Sequence, residues 1–337
     1  MVSPKLRQLA IYSVLAALIL AFCVVMLGAY TRLKDAGLGC PDWPGCYGFL
    51  SVPKSEQAVA QANQAFPNAP LEQAKAWPEM IHRYAAMTLG LLIVFITILS
   101  IANRKHPGHP HKLALTLLGL LIFQALLGKW TVTMKLYPPI VMGHLLGGFA
   151  IVSVLYLLCL RLTQAMQPLR DLRAAPLKNA AAVGLGLLII QIALGGWTSS
   201  NYAALVCAQL PICEHPWWSL LNFREAFSFY PAVDNFQYAP HLSVNAKITI
   251  QVLHRFGAMI TASWLGWLGW RLLRQANTPR YRNLARLLLL ILTLQISLGI
   301  SNIIFQLPLF TAVAHNAVAA LLLLVLITLN YGLNKKR

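Results

Sequence analysis

Apolar residues along this chain gather into long runs and do not alternate with polar ones at a strand's period of two. Eight runs, at about 10–30, 80–101, 113–133, 141–163, 178–200, 247–272, 282–305 and 310–332, approach or exceed the roughly 20 residues a helix needs to cross a bilayer. The pattern predicts an all-α membrane protein with eight transmembrane helices. The first run is long for a signal peptide, and the Gly-Ala-Tyr-Thr-Arg after it offers no small-x-small cleavage site, so it reads as a retained helix. Two connections are long, about 31–78 and 201–246. In the first, "SEQAVAQANQAF" (55–66) predicts a short helix; in the second, "HPWWSLLNF" (215–223) reads as an aromatic cap on the membrane surface.

The pattern occurs twice. "LGAYT" (27–31) matches "LGGWT" (194–198), and nine residues after each threonine stands a cysteine, Cys40 and Cys207. Six residues further come Cys46 and Cys213, then His82 with Arg83 and His254 with Arg255. "QALLGKWT" (124–131) answers "QISLGISN" (295–302), and His144 answers His315. The paired histidines lie 62 residues apart in the first copy (144 − 82) and 61 in the second (315 − 254). Landmarks kept in order at such intervals predict two tandem four-helix bundles, a parallel duplication. The halves are 1–163 and 179–337, joined by a cytoplasmic linker at 164–178.

Composition supports the membrane reading: 58% of the 337 residues are hydrophobic, 11% are charged, and mean hydropathy is +0.62. The net charge of +18 does not mark a nucleic-acid partner, because its lysines and arginines sit at the termini and in alternate short connections. Such placement puts both termini in the cytoplasm and the long loops outside. Four of the six cysteines then lie in an oxidising compartment, and Cys40–Cys46 and Cys207–Cys213 are expected to be disulfides stapling the two loops, with a redox role as the alternative. Cys23 and Cys159 fall inside spans and read as buried apolar residues. The histidines of "HPGHPH" (His106, His109, His111) read as a solvated turn, not a metal site.

Ionisable groups inside membrane spans point to function. His82, His144, His254 and His315 come in pairs on alternate helices of each half, and two facing imidazoles can sandwich the iron of a haem. Arg83 and Arg255, each next to a histidine, are candidates to pair with haem propionates. The structural alternative is that the histidines hydrogen-bond neighbouring helices and the arginines snorkel to the interface. The glycines of "LGKW", "LGGW" and "MGHLLGGF" read as small residues for close helix packing, which would also admit a flat ring. One acid separates the halves. Glu79 precedes His82 by three residues, where Gln251 precedes His254. A carboxylate there can handle protons at one site only, the alternative being a helix cap.

The segments "GAYTRLKDAGLGCPDWPGCYG", "EMIHRYAAMTLG", "GKWTVTMKLYPPIVMGHLLGG", "LHRFGAMI" and "AHNAVAALL" resemble those of the haem A synthase family, across essentially the whole chain. The resemblance implies an eight-helix oxidoreductase that oxidises the C8 methyl of haem O to a formyl group, giving haem A for cytochrome oxidase. It implies an oxygen atom from water and electrons leaving through a haem b. Carried onto this sequence, it implies that His254 and His315 ligate haem b, that His82 and His144 contact the substrate haem, and that Glu79 is the essential acid. The implied setting is the bacterial cytoplasmic (inner) membrane. Implied partners are haem O synthase (the farnesyltransferase), cytochrome oxidase assembly factors and an electron acceptor; a homo-oligomer is left open. Two rival readings fit four membrane histidines: a di-haem b-type electron-transfer protein and a haem carrier.

Overall fold

The computed structural model describes residues 4–105, 109–163, 171–214, 216–229 and 242–334. His106 and His215, both named in the sequence analysis, lie outside that set, as do residues 164–170 of the 164–178 linker. Among the described residues the regular structure is helical, with one isolated bridge between Cys46 and Phe49. That follows from the setting. In hydrocarbon a helix satisfies its own backbone, whereas an open strand cannot.

Seven helices are long and apolar enough to cross a membrane: α1 (Pro4–Leu33), α3 (Gln73–Ala102), α4 (His111–Thr133), α5 (Pro138–Thr163), α6 (Lys178–Ser200), α9 (Pro279–Ile304) and α10 (Leu309–Asn334). With the family reported below, they make this an integral membrane protein. The eighth long helix, α8 (Val244–Gln275), is the longest at 32 residues but is more polar, carrying Lys247, Arg255, Arg271 and Arg274. The short helices are α2 (Glu56–Ala65), on the segment expected to be helical, and α7 (Phe223–Ala226). A single 3-10 turn, Trp217–Leu220, stands where the aromatic cap was expected.

The chain separates into two compact units at Leu162/Thr163. In the first, α1 packs on α3 and α3 on α4. The α5 helix joins them through Gln124, whose amide donates to the His144 carbonyl at 2.8 Å. In the second, α6 packs on α8, α8 on α9, α9 on α10 and α10 on α6, so four helices close a ring. Asp171 ties the segment before α6 to the start of α9. Its carboxylate accepts from Thr278 N at 2.8 Å and Thr278 Oγ1 at 3.0 Å, and from Arg173 N and Ala174 N at 3.1 Å each. Burial by itself would raise its pKa, but these bonds and one from Asn277 N–H outweigh that and hold it below the ordinary value.

Four helices end alike. After α1, α4, α6 and α9 the chain turns through left-handed residues (Asp35; Lys135 and Leu136; Tyr202; Gln306 and Leu307). The N–H five residues on then closes onto a helix carbonyl: Ala36 to Thr31 (2.9 Å), Leu136 to Thr131 (2.8 Å), Ala203 to Thr198 (3.0 Å) and Leu307 to Asn302 (2.7 Å). These closures cap carbonyls that a helix end would otherwise leave unpaired. They also fix how far each helix runs, and so set the height of the residues one and two turns inside.

Candidate functional site

Three residues before each capped Thr or Asn stands a glycine, and each of these four glycines receives a histidine of a neighbouring helix. A Cβ on Gly28 would lie 2.9 Å from His82 Nε2. One on Gly128 would lie 3.4 Å from His144 Cε1, one on Gly195 3.2 Å from His254 Cε1, and one on Gly299 3.1 Å from His315 Cε1. No larger residue fits beside three of the four rings without displacement. Of the glycines that read as helix-packing residues, Gly128 and Gly195 therefore pack imidazoles, while Gly143, Gly147 and Gly148 face Leu127, Gln124 and Val25 of neighbouring helices. All four histidines are half-buried, so protein closes on one edge of each ring without enclosing it.

In the first unit the His82 and His144 ring centroids are 6.4 Å apart, tilted at 58°. In the second, His254 and His315 lie within electrostatic reach of each other. Two imidazoles at the His82–His144 separation can take a metal between them; among the described residues no cluster of three or more His, Cys, Asp or Glu could hold an ion by itself. His109 and His111, of the solvated turn, bond Ser100 Oγ (3.0 Å) and the His109 carbonyl (3.2 Å).

Above the first pair lies the loop stapled by Cys40–Cys46, with Cα atoms 4.8 Å apart. It folds on its own small core of Tyr47, Val52, Ala62, Ala76 and Met80. Asp42 shapes its tip by accepting from Tyr47 N (2.6 Å) and Gly48 N (2.7 Å), at two residues of positive φ. The Tyr47 hydroxyl donates to the Ala69 carbonyl at 2.9 Å; burial first, then the charges of Glu72, Glu79 and Asp42, push its pKa up to about 12. Gly39 lets the loop lie directly on α3, since a Cβ there would meet the Lys75 carbonyl group at 2.5 Å.

That approach puts Glu79 to use. Helix α3 begins at Gln73, so Glu79 is inside it and Pro78 does not start it; the helix-cap reading fails because residues 73–78 precede Glu79 within the same helix. The Glu79 carboxylate, 5% exposed, accepts from Cys40 N at 2.9 Å and pairs with Arg83. Arg83 in turn donates to the carbonyls of Asp42 (2.9 Å), Pro44 (3.3 Å) and Gly45. In the second unit Arg255 likewise holds the Cys207–Cys213 loop, donating to Cys207 O (2.7 Å) and Gln209 O (2.5 Å). Its buried Nε has no partner among the described residues. Gln251, the counterpart of Glu79, donates to Ala204 O at 3.0 Å. Both arginines thus grip backbone carbonyls of the loops, which sequence reading had not foreseen. The remaining cysteines divide: Cys159 is buried, but Cys23 is exposed, correcting the expectation for it, because α1 turns that face away from its neighbours.

Comparisons with known proteins agree with these landmarks. Residues 11–327 match the family COX15-CtaA, described as cytochrome oxidase assembly protein. A protein of Shewanella oneidensis named heme A synthase is 50% identical over 317 residues, 94% of each chain. Proteins of the same name from Flavobacterium psychrophilum (24% identical, 95% of this chain and 96% of the relative) and Caulobacter vibrioides (26%, 96% and 95%) also match end to end. Since the matched segment carries all four glycine-cradled histidines and both stapled loops, the chain belongs to the COX15-CtaA family of cytochrome oxidase assembly proteins.

Proposed function

We propose that the protein is a haem A synthase, an oxidoreductase that converts haem O to haem A. The observation that carries the catalytic assignment is the buried acid, Glu79, present at one histidine pair and replaced by Gln251 at the other. A pure electron conduit or a haem carrier has no use for that difference. The substrate haem binds in the N-terminal half (1–163) at His82 and His144. A centroid separation of 6.4 Å supports this, since two metal–imidazole bonds of about 2 Å and two ring radii also sum to about 6 Å. The C-terminal half (179–337) holds haem b at His254 and His315. Supporting features are the two-imidazole donor set, the glycine notches, and Arg255 Nε, buried and without a partner among the described residues, which suits a propionate. When bound, haem b supplies one-electron redox chemistry.

The half-reaction balances as R–CH3 + H2O → R–CHO + 4 H+ + 4 e−, through the alcohol and then a geminal diol that loses water, with the four electrons passing to a separate electron acceptor. Glu79 accepts protons released at the methyl carbon or the attacking water, one turn of α3 from His82. Arg83 and Cys40 N–H fix which way its carboxylate points, and the stapled loop keeps bulk water from the acid. Arg83 serves its own half as a propionate partner through donors not spent on the loop. In this reading α8 is the eighth span, the two halves are tandem four-helix bundles, both termini face the cytoplasm of a bacterial inner membrane, and the cysteine loops face out. Haem O synthase delivers the substrate, and cytochrome oxidase assembly consumes the product.

Glu79→Gln tests the assignment, because the amide keeps the shape and can still accept from Cys40 N–H. The variant should retain haem, yet the haem extracted from cells that make haem O should contain no haem A by mass. Undiminished haem A formation would refute the role of Glu79, and a wild type that yields only haem b would refute the function.

A further inference from the structure

Each histidine faces a helix segment of one pattern: "VVMLGAYT" (24–31), "QALLGKWT" (124–131), "QIALGGWT" (191–198) and "QISLGISN" (295–302). The glycine takes the ring. The residue four positions earlier lies on the same face, one turn deeper. In three segments that residue is a glutamine, and in each case it reaches the histidine. Gln124 Nε2 donates to the His144 carbonyl at 2.8 Å, Gln191 Nε2 lies 3.0 Å from both His254 Nδ1 and the His254 carbonyl, and Gln295 Nε2 lies 3.3 Å from His315 Nε2. In the fourth segment the residue is Val24.

The glutamines are built in. Gly147 and Gly257 each stand three residues after a histidine. A Cβ on Gly147 would come within 2.7 Å of Gln124 Cδ, and one on Gly257 would overlap Gln191 Oε1. A mid-helix glycine costs about 1 kcal/mol against alanine, so room for these amides is kept at some expense. After His82 the same place holds Ala85, and after His315 it holds Val318.

Among the described residues, the buried carbonyl oxygens of Gln124, Gln191 and Gln295 have no hydrogen-bond partner, nor do His144 Nδ1 and His315 Nδ1. An imidazole that gives one nitrogen to iron carries a proton on the other, and that N–H needs an acceptor, which fixes the ring and strengthens it as a ligand. Gln191 and Gln295 bring an amide to a ring nitrogen of their histidines, and Gln124 and Gln191 also hold the histidine backbone carbonyl, so each glutamine fixes where its histidine stands.

We propose that Gln124, Gln191 and Gln295 are positioning residues for three of the four haem-facing histidines, and that Val24, in the place of a fourth glutamine, makes His82 the exchangeable ligand. This rests on the haem-binding reading above. Its sense is in the count. The half assigned to a resident haem has two supported histidines, and the half whose haem must enter and leave has one supported and one bare.

The test uses the full-length protein in detergent, loaded with ferric haem b as the probe, following haem loss to excess apomyoglobin and the low-spin optical and EPR signals. Wild type should lose haem in a fast and a slow phase. Val24→Gln should slow the fast phase about tenfold and sharpen its low-spin signal, and Gln191→Leu should speed the slow phase about tenfold. Gln191→Glu should lower the midpoint potential of the slow-phase haem and Gln191→Leu should raise it, a split that a packing role would not produce. Val24→Asn carries the same expectation as Val24→Gln if the latter does not accumulate. Two low-spin haems whose loss and potential ignore these substitutions would overturn the inference alone. A wild type that binds no low-spin haem would overturn the haem-binding reading itself.

Discussion

Alanine at the four histidine-facing glycines should have graded effects, set by how close each new methyl comes to its ring. In a helix interior, Gly→Ala gains about 1 kcal/mol of backbone propensity, while overpacking a filled contact costs about 1–3 kcal/mol. At Gly128 the nearest His144 atom is 3.4 Å away, an ordinary contact, so only the gain remains and the variant should be stabilised by about 1 kcal/mol. At Gly195 and Gly299, with 3.2 Å and 3.1 Å to the ring, the neighbour must yield slightly and the two effects should roughly cancel. At Gly28 the methyl would sit 2.9 Å from His82 Nε2, so the ring or helix must move, with a net loss of about 1–2 kcal/mol. Thermal midpoints of the four single variants in one detergent, read by tryptophan fluorescence, give the order Gly128→Ala > Gly195→Ala ≈ Gly299→Ala > Gly28→Ala. If Gly28→Ala proves as stable as Gly128→Ala, the ring contacts do not decide what these glycines are for.

Two further outcomes are open to direct measurement. Asp171→Asn should lower the thermal midpoint at neutral pH, by an amount corresponding to about 1–2 kcal/mol for a buried acceptor of several hydrogen bonds. Because the folded-state pKa of Asp171 is depressed, its contribution is complete above the unfolded value and fades as pH falls through the folded one, so wild type and variant should converge in acid. Arg255→Lys replaces a fork that reaches Cys207 O and Gln209 O with a single point of contact. The loop should open more easily, and the Cys207–Cys213 bond should be reduced by dithiothreitol about tenfold faster, as a 1.4 kcal/mol loss implies; an unchanged rate would mean the arginine does not hold the loop closed.

What could be read from the sequence, and what could not, has a physical pattern. Seven of the spans were legible because hydrocarbon thickness imposes a length on apolar runs, and the repeated order of Cys, His and Arg stood out because those residues are scarce enough for their order to carry information. Boundaries were less so. The first residues of α3, 73–79, carry Gln73, Lys75, Pro78 and Glu79, so the unbroken apolar run begins at 80 although the helix begins at Gln73. The partners of Arg83 were out of reach because every residue offers a backbone carbonyl, and nothing in the sequence says which ones a loop turns inward. The glutamines were missed for a different reason. One amide in an apolar run reads as ordinary interhelical glue, and its meaning appears only when the glycine one turn on is seen to hold a histidine.

The polarity of α8 bears on how the protein is made. An arginine at mid-helix costs about 2.5–3.5 kcal/mol on entering a bilayer, and α8 carries several charges along its length. Yet the carbonyls that receive Arg255, those of Cys207 and Gln209, belong to the loop between α6 and α8, so the ribosome has produced them before Arg255 emerges. The segment least able to enter the membrane unaided therefore meets its partner already in place. In the proposed eight-span arrangement, biogenesis of this half is then templated in order, α6 and its loop first, with α8 drawn in as the second arm of a hairpin.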